Sequence, residues 1–438
     1  MFARSHAKTS TRTVFYGWRI VASGAITQAL SAGFLYYGFG AFFLPLAQEF
    51  NVNRTAITGA VSFARLESSF LGPVEGYAID KLGPKKVAIL GVLLLGSGFF
   101  VLSKVSSLVS FYVVFILMVS LGSSLGFGTP FTTAIANWFV RRRSLALGIA
   151  MAGFGVGGVM VPLVALLIGR YGWRETSMIA GVVCLGVGIP AALVLKQRPE
   201  QLGLTPDGER TPDPSTHSLT PGTEIQHSDF RVAEALRTRA FWFLTGAFVF
   251  RTLASSVVAV HIIPLLTDKG YSTALGASVV GAIGISGTVG RVLVGWLGDA
   301  VSKRHLLAIV NTVTLVSMVV LLFARNPVMV FAFAVLYGPS IGVGGVMMAL
   351  RGDYFGRKHF ATIGGFQASI MTLGQVAGPI LAAAIFDATK SYEIALYALV
   401  VLLGLSGVLI MLATPPKLRP TMEMSPESRT ERIPTPKV

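Results

Sequence analysis

Three arginines sit where a chain rarely keeps a positive charge, each inside a long run of apolar residues: Arg65, Arg251 and Arg291. A charge at hydrocarbon depth costs about 2.5–3.5 kcal/mol even on lenient scales, so it persists where an anion answers it. The chemistry open to such a group is reversible binding: a guanidinium takes a carboxylate through two parallel hydrogen bonds. Arg291 stands two turns before Asp299, roughly 12 Å into its run at 1.5 Å per residue. Snorkelling back to the aqueous surface is the competing reading. Arg251 is open to two readings, a cavity-facing charge or a bridge between helices. Arg65 and Glu67, spaced i and i+2, point to different sides of a helix and each needs a partner elsewhere; Arg251 and Arg291 are the candidates for Glu67. Glu75 falls near the end of the same run, which leaves Glu67 as the mid-run acid. Burial and a neighbouring arginine act on a carboxyl in opposite senses, and a group balanced between them takes up and releases a proton. Histidine as a residue type changes charge near physiological pH, which makes His261 the second proton-carrier candidate. A static ion pair at Glu67 and an ordinary hydrogen bond at His261 are the plainer alternatives. Gln28, Tyr36, Tyr37, Tyr112 and Tyr337 add neutral hydrogen-bonding groups. Tyr337 precedes Gly338 and Pro339, a break at which backbone polar groups can line a cavity.

The elements that must carry these residues follow from the bulk chemistry. Of 438 residues 53% are hydrophobic and 13% charged, about half the charge of a soluble domain, so the solvent of this chain is the lipid bilayer. Apolar runs fall at about 18–44, 55–79, 87–103, 108–136, 145–168 and 176–195, and again at about 241–266, 275–298, 305–324, 327–350, 360–386 and 392–413. Each is long enough to cross as a helix, and the period-two alternation of a barrel is absent. The expected organisation is a first six-helix half over 1–195, a polar linker over 196–239, a second half over 240–414 and a polar tail over 415–438. The linker, rich in Pro, Thr and Gly, is expected to be disordered.

The net charge of +16 does not point to nucleic acid, because the basic residues are sorted by gap. Arg54, Lys104, Arg170, Arg174, Lys269, Arg325 and Lys390 make up one alternate set of gaps. The remaining Lys and Arg outside the runs crowd the other set, which also holds both termini and the linker. The positive-inside rule then puts that set in the cytoplasm of a cell membrane. Cys184 is the only cysteine, so no disulfide framework exists. No metal-ligand spacing, nucleophile–base pair or phosphate-cradling G-x-x-x-x-G-K-[ST] loop occurs. Neither an enzyme nor a cofactor is expected.

The chain repeats itself. GYAIDKLGPKK (Gly76–Lys86) returns as GWLGDAVSKR (Gly295–Arg304), 219 residues on, and WFVRRRSLALG (Trp138–Gly148) as YFGRKHFATIG (Tyr354–Gly364), 216 on. Nearly one offset for two landmarks means two homologous halves in parallel orientation, the layout in which a solute binds at mid-membrane between halves that rock. Gly76 and Gly295 would let helices approach closely. Asp80 and Asp299 would pair with a helix N-terminus or an arginine, and Gly83, Lys85 and Lys86 would fix the cytoplasmic face. Together they would form a gate.

The G-x-x-x-D-x-x-G-x-[KR]-[KR] loop resembles that of the major facilitator superfamily. YGWRIV (Tyr16–Val21), the stretch Asn137–Gly157, GWRETS (Gly172–Ser177), RPEQLGLTPDG (Arg198–Gly208) and RGDYFGRK (Arg351–Lys358) are similar to the monocarboxylate transporter family and its prokaryotic relatives. The resemblance implies an all-α membrane protein of twelve transmembrane helices in two pseudo-symmetric halves. It further implies a secondary transporter of a small organic anion, a monocarboxylate, with a proton as the candidate co-transported ion. It assigns the carboxylate to Arg291, four residues before Gly295, with Tyr37, Tyr337, Arg251, His261 and Gln28 as further candidates. Two positions depart from it: Gly287 stands where animal members have an aspartate, and Tyr37 where they have a first-helix lysine. Both groups serve proton coupling there, so the resemblance carries no coupling route to this chain. A carrier of neutral or cationic compounds, with structural arginines, and a non-transporting membrane receptor are the alternatives.

Overall fold

The computed structural model describes residues 15–52, 54–208 and 229–416. Twelve long helices follow one another. α1 runs through Tyr16–Ser31, a wide turn over Ala32–Tyr36 and Phe39–Glu49. α2 is Arg54–Leu82 and α3 Pro84–Leu102; α4 is Leu108–Trp138 and α5 Arg143–Tyr171. α6 is Trp173–Val194, α7 Arg239–Asp268, α8 Thr273–Ala300 and α9 Lys303–Leu322. α10 is Pro327–Phe355, α11 Phe360–Thr389 and α12 Glu393–Leu412. Among the described residues, 11 helices are long and apolar enough to cross a membrane. α2 is the twelfth, and it carries the carboxyls Glu67 and Glu75.

Local chemistry sets the ends of these helices. Gly83 and Gly172 take φ of +87° and +88°, the left-handed region that side chains avoid, and so turn α2 into α3 and α5 into α6 within a residue. Pro84 and Pro327 open their helices at the first turn, where a missing N–H is harmless. Ser107, Thr238, Ser272 and Asn326 cap N-termini through their side chains.

Each half has its own core. Phe34, Phe99, Phe111, Phe115 and Trp173 pack together in the first, and Leu266, Met318, Phe333, Tyr337 and Leu399 in the second. The two meet along α2–α11 and α5–α8. The start of the linker departs from the expected disorder. Residues 196–208 lie against the bundle, because the Trp138 indole donates to Lys196 O at 2.9 Å and Asn137 Nδ2 to Gln197 O at 3.3 Å. Residues 209–228, the rest of the Pro- and Thr-rich stretch, lie outside the described residues.

Candidate functional site

Arg291 belongs to the small-residue face of α8, where Gly287 and Gly290 rest on Gly338 and Pro339 of α10; the break expected at those two residues falls instead at Gly342, the helix running through Pro339 to Ile341. The side chain is 9% exposed, so it does not reach the surface. It makes no hydrogen bond or ion pair among the described residues. Its electrostatic neighbour is Tyr37, from the other half. The wide turn at Ala32–Tyr36 delivers Tyr37 to this place, 40% exposed and set edge-on to Phe154 of α5 at 5.5 Å. Such wide turns recur at functional positions in helices. A buried cation and a phenol thus face each other between the halves.

Arg251 is 7% exposed and is spoken for: it donates to Ser340 O, on the same α10 segment, and lies beside Tyr337. Tyr337 stacks on Phe333 at 5.5 Å and is 3% exposed. The two arginines therefore flank the α10 break, Arg291 from α8 and Arg251 from α7. His261 stands apart from them. Its Nε2 faces Pro379 O at 3.0 Å, so that nitrogen carries a hydrogen, and Nδ1 is hydrogen-bonded with the Tyr392 hydroxyl at 3.0 Å. Gln28 is half-buried on α1. Glu67 receives Ser120 Oγ of α4 at 3.5 Å; neither Arg251 nor Arg291 pairs with it. The side chain of Arg65 lies outside the described residues. Tyr36 and Tyr112 pack against Phe154 and Phe63.

At the basic end of the bundle the repeated loops act in matching ways. Asp80 accepts from Ala361 N (3.3 Å), Thr362 N (2.9 Å) and Thr362 Oγ1 (2.6 Å), at the N-terminus of α11. Asp299 accepts from Ser144 N (2.8 Å) and Leu145 N (2.9 Å), at the N-terminus of α5. A helix N-terminus offers unpaired N–H groups and a positive dipole end, which suits a carboxylate. Gly76 lies so near Ala361 that a Cβ would overlap the backbone there, and a Cβ on Gly295 would come within 2.8 Å of Ser144 O. Gly83 holds its turn over Gln197, while Lys85 is half-buried and Lys86 exposed.

Several residues that the sequence did not flag join these contacts. Arg143, fully buried, reaches Asp353 at 2.9 Å, and Lys303 holds the same carboxylate at 2.9 Å. Arg351 packs on the Phe360 ring at 4.2 Å. Asp207 accepts from Val140 N (2.9 Å), Arg141 N (2.8 Å) and Arg142 N (3.1 Å), ahead of α5. Asp229 accepts from Arg357 N (2.8 Å) and Lys358 N (3.1 Å), ahead of α11. These are equivalent places in the two halves, capped from the two ends of the linker. Arg357 also crosses to Asn137 O at 2.7 Å and Glu200 at 3.3 Å. The repeat offset carries a signal for Asp353: it stands 216 residues after Asn137, so one half holds an acid where the other holds an amide.

Known proteins agree with this architecture. A family model described as Major Facilitator Superfamily matches residues 25–345 and 289–436. Monocarboxylate transporter 13 of Rattus norvegicus is 28% identical over 402 residues, 91% of this chain and 89% of that protein. Monocarboxylate transporter 11 of Homo sapiens is 29% identical over 420 residues, 91% and 83%. The MFS-type transporter YcxA of Bacillus subtilis is 24% identical over 385 residues, 85% and 89%. Among solved structures, the Major Facilitator Superfamily transporter FucP in its outward conformation superposes with a TM-score of 0.66 at 15% identity, covering 92% of this chain and 98% of that one.

Proposed function

The chain belongs to the Major Facilitator Superfamily, and from that premise we propose that it carries a small monocarboxylate by alternating access, with Arg291 as the partner of the travelling carboxylate. It is a transporter and not an enzyme. The observation that supports the cargo is the state of Arg291: 9% exposed and without an acidic partner among the described residues. A guanidinium in that position is costly until an anion arrives. A carboxylate held by two charge-assisted hydrogen bonds offsets the cost and takes its charge away again on leaving. Tyr37 offers a further donor from the opposite half, so one carboxylate between the two side chains touches both halves. Arg251 and Tyr337 hold the α10 break behind it. α11 contains no lysine, which favours one carboxylate over a dianion held by two cations. The relatives named monocarboxylate transporters agree with this class.

The basic end faces the cytoplasm of a cell membrane in this reading, with both termini on that side. The Asp80 and Asp299 contacts shut that end, so Arg291 is loaded from outside. A proton carried with the carboxylate makes the cargo neutral, and His261, Glu67 and Arg65 remain candidates for that coupling.

The test is binding. With purified protein and pyruvate as probe, Arg291→Ala should weaken affinity about 10- to 100-fold, the range expected for losing hydrogen bonds to a charged group. Arg291→Lys, a point charge in place of a planar fork, should fall between. An unchanged Kd in Arg291→Ala removes the assignment. Inhibition of uptake by simple carboxylates separates this reading from a carrier of neutral or cationic compounds.

A further inference from the structure

α2 holds a carboxyl that the anion site does not use. Glu75 is 6% exposed. Its Oε2 accepts from Ser124 Oγ of α4 at 2.6 Å, and its Oε1 is buried with no hydrogen-bond partner among the described residues. The helices packed around α2 bring no cation to it. α4 contains no charged residue from Leu108 to Trp138. α3 carries Lys85 and Lys86 in its first turn, the second of them exposed. α11 carries Asp387, at the opposite end; α1 carries Glu49, which is bound to Arg174 and Trp173, and Arg19, which is exposed and lies over the Tyr16 ring at 5.8 Å. On α2 itself the charged group that acts on Glu75 is Glu67, another acid. Arg65 stands about 15 Å away along the helix, at 1.5 Å per residue. Asp80 is engaged with the N-terminus of α11, and Lys81 is exposed beyond it. An ionised carboxylate in such surroundings is expensive, whereas a carboxylic acid with one good hydrogen bond is not.

The geometry points to Glu75 as a further proton-binding residue of the transport cycle, with Ser124 as its hydrogen-bond partner. Position couples it to the gate. Glu75 adjoins Gly76, which is pressed on Ala361 of α11, and lies about 7.5 Å along the helix from Asp80 at 1.5 Å per residue. Ser124 opens the wide turn Ser124–Gly128, the second in α4, and such turns repack more readily than a regular helix. When the α2–α11 seam parts, water from the basic end reaches the carboxyl, which passes its proton to that water. When the seam closes, a proton taken up from the opposite side of the membrane neutralises the charge again. The role in transport rests on the carrier reading above; the proton site itself does not depend on which solute is carried.

Infrared difference spectra of the purified full-length protein, taken between alkaline and acid buffer, read the C=O stretch of protonated carboxyls directly. The band should contain a component that the wild type and Glu67→Gln share, that Glu75→Gln loses, and that is displaced in Ser124→Ala, which keeps the carboxyl and removes its hydrogen bond. A band unchanged in Glu75→Gln overturns the proposal; where that variant does not fold, a band unmoved in Ser124→Ala does the same. In vesicles with labelled pyruvate, Glu75→Gln should retain exchange and lose accumulation driven by a pH gradient, and accumulation that survives also overturns it. Failure of pyruvate to bind the wild type sinks the monocarboxylate reading and leaves the infrared result to decide on Glu75.

Discussion

Among the described residues Arg291 lacks what buried guanidinium groups generally have, a carboxylate of its own. The nearest place to supply one is Gly287, one helical turn earlier and on the same face. A Cβ there would come within 2.9 Å of Ile341 Cδ1, the far end of a side chain that can turn away. Gly287→Asp should therefore be tolerated and should give Arg291 an internal partner that competes with the cargo. Ionised, the new aspartate weakens pyruvate binding; protonated, it releases the arginine. Affinity of the variant should thus fall below wild type near neutral pH and recover toward it in acid, more steeply than any trend in the wild type. Calorimetric titration at two pH values checks this, and equal affinities in the two proteins at both would mean that Arg291 does not hold the anion. The same scale separates the two acids of α2. Both meet a serine of α4, Ser120 for Glu67 and Ser124 for Glu75, and Glu75, though nearer the helix end, is the more deeply covered.

At the scale of elements, the linker acts as two anchors. Asp207 takes three backbone N–H groups ahead of α5, and Asp229 takes two ahead of α11. Loss of a capping carboxylate costs about 0.5–2 kcal/mol. Asp207→Ala and Asp229→Ala should each lower Tm, and the double variant should show the sum, because sites in separate halves share no partner. Thermal unfolding of the four proteins measures it. A double variant no worse than either single one would mean that the two caps belong to one cooperative contact across the linker. The RPEQLGLTPDG stretch was visible as a similarity but its task was not, since a cap is defined by the N–H groups it meets.

For the whole molecule, Asp80 and Asp299 close the same end from opposite halves, each against the helix N-terminus that the other half presents. Their removal should shift the population toward the state open at the basic end. Spin labels at the exposed positions Lys86 and Lys358, one in each half, report that opening as a longer distance; Cys184, fully buried, stays unlabelled. Asp80→Ala and Asp299→Ala should each add a long-distance component and the pair together a larger one. Distance distributions identical to wild type would show that the halves are held shut by packing alone.

Composition and periodicity are local quantities, so the amino-acid sequence alone determined that the chain is a bundle of membrane-crossing helices. Its internal repeat determined that there are two equivalent halves and that Asp80 and Asp299 hold matching places. Pairing is not local. Asp80 meets Thr362 from 282 residues away, and Arg251 meets Ser340 from 89. Which acid is covered, which arginine keeps an open valence and which part of the linker docks were decided by the neighbour that the tertiary structure brought to each group, because the cost of burying a charge depends on what answers it.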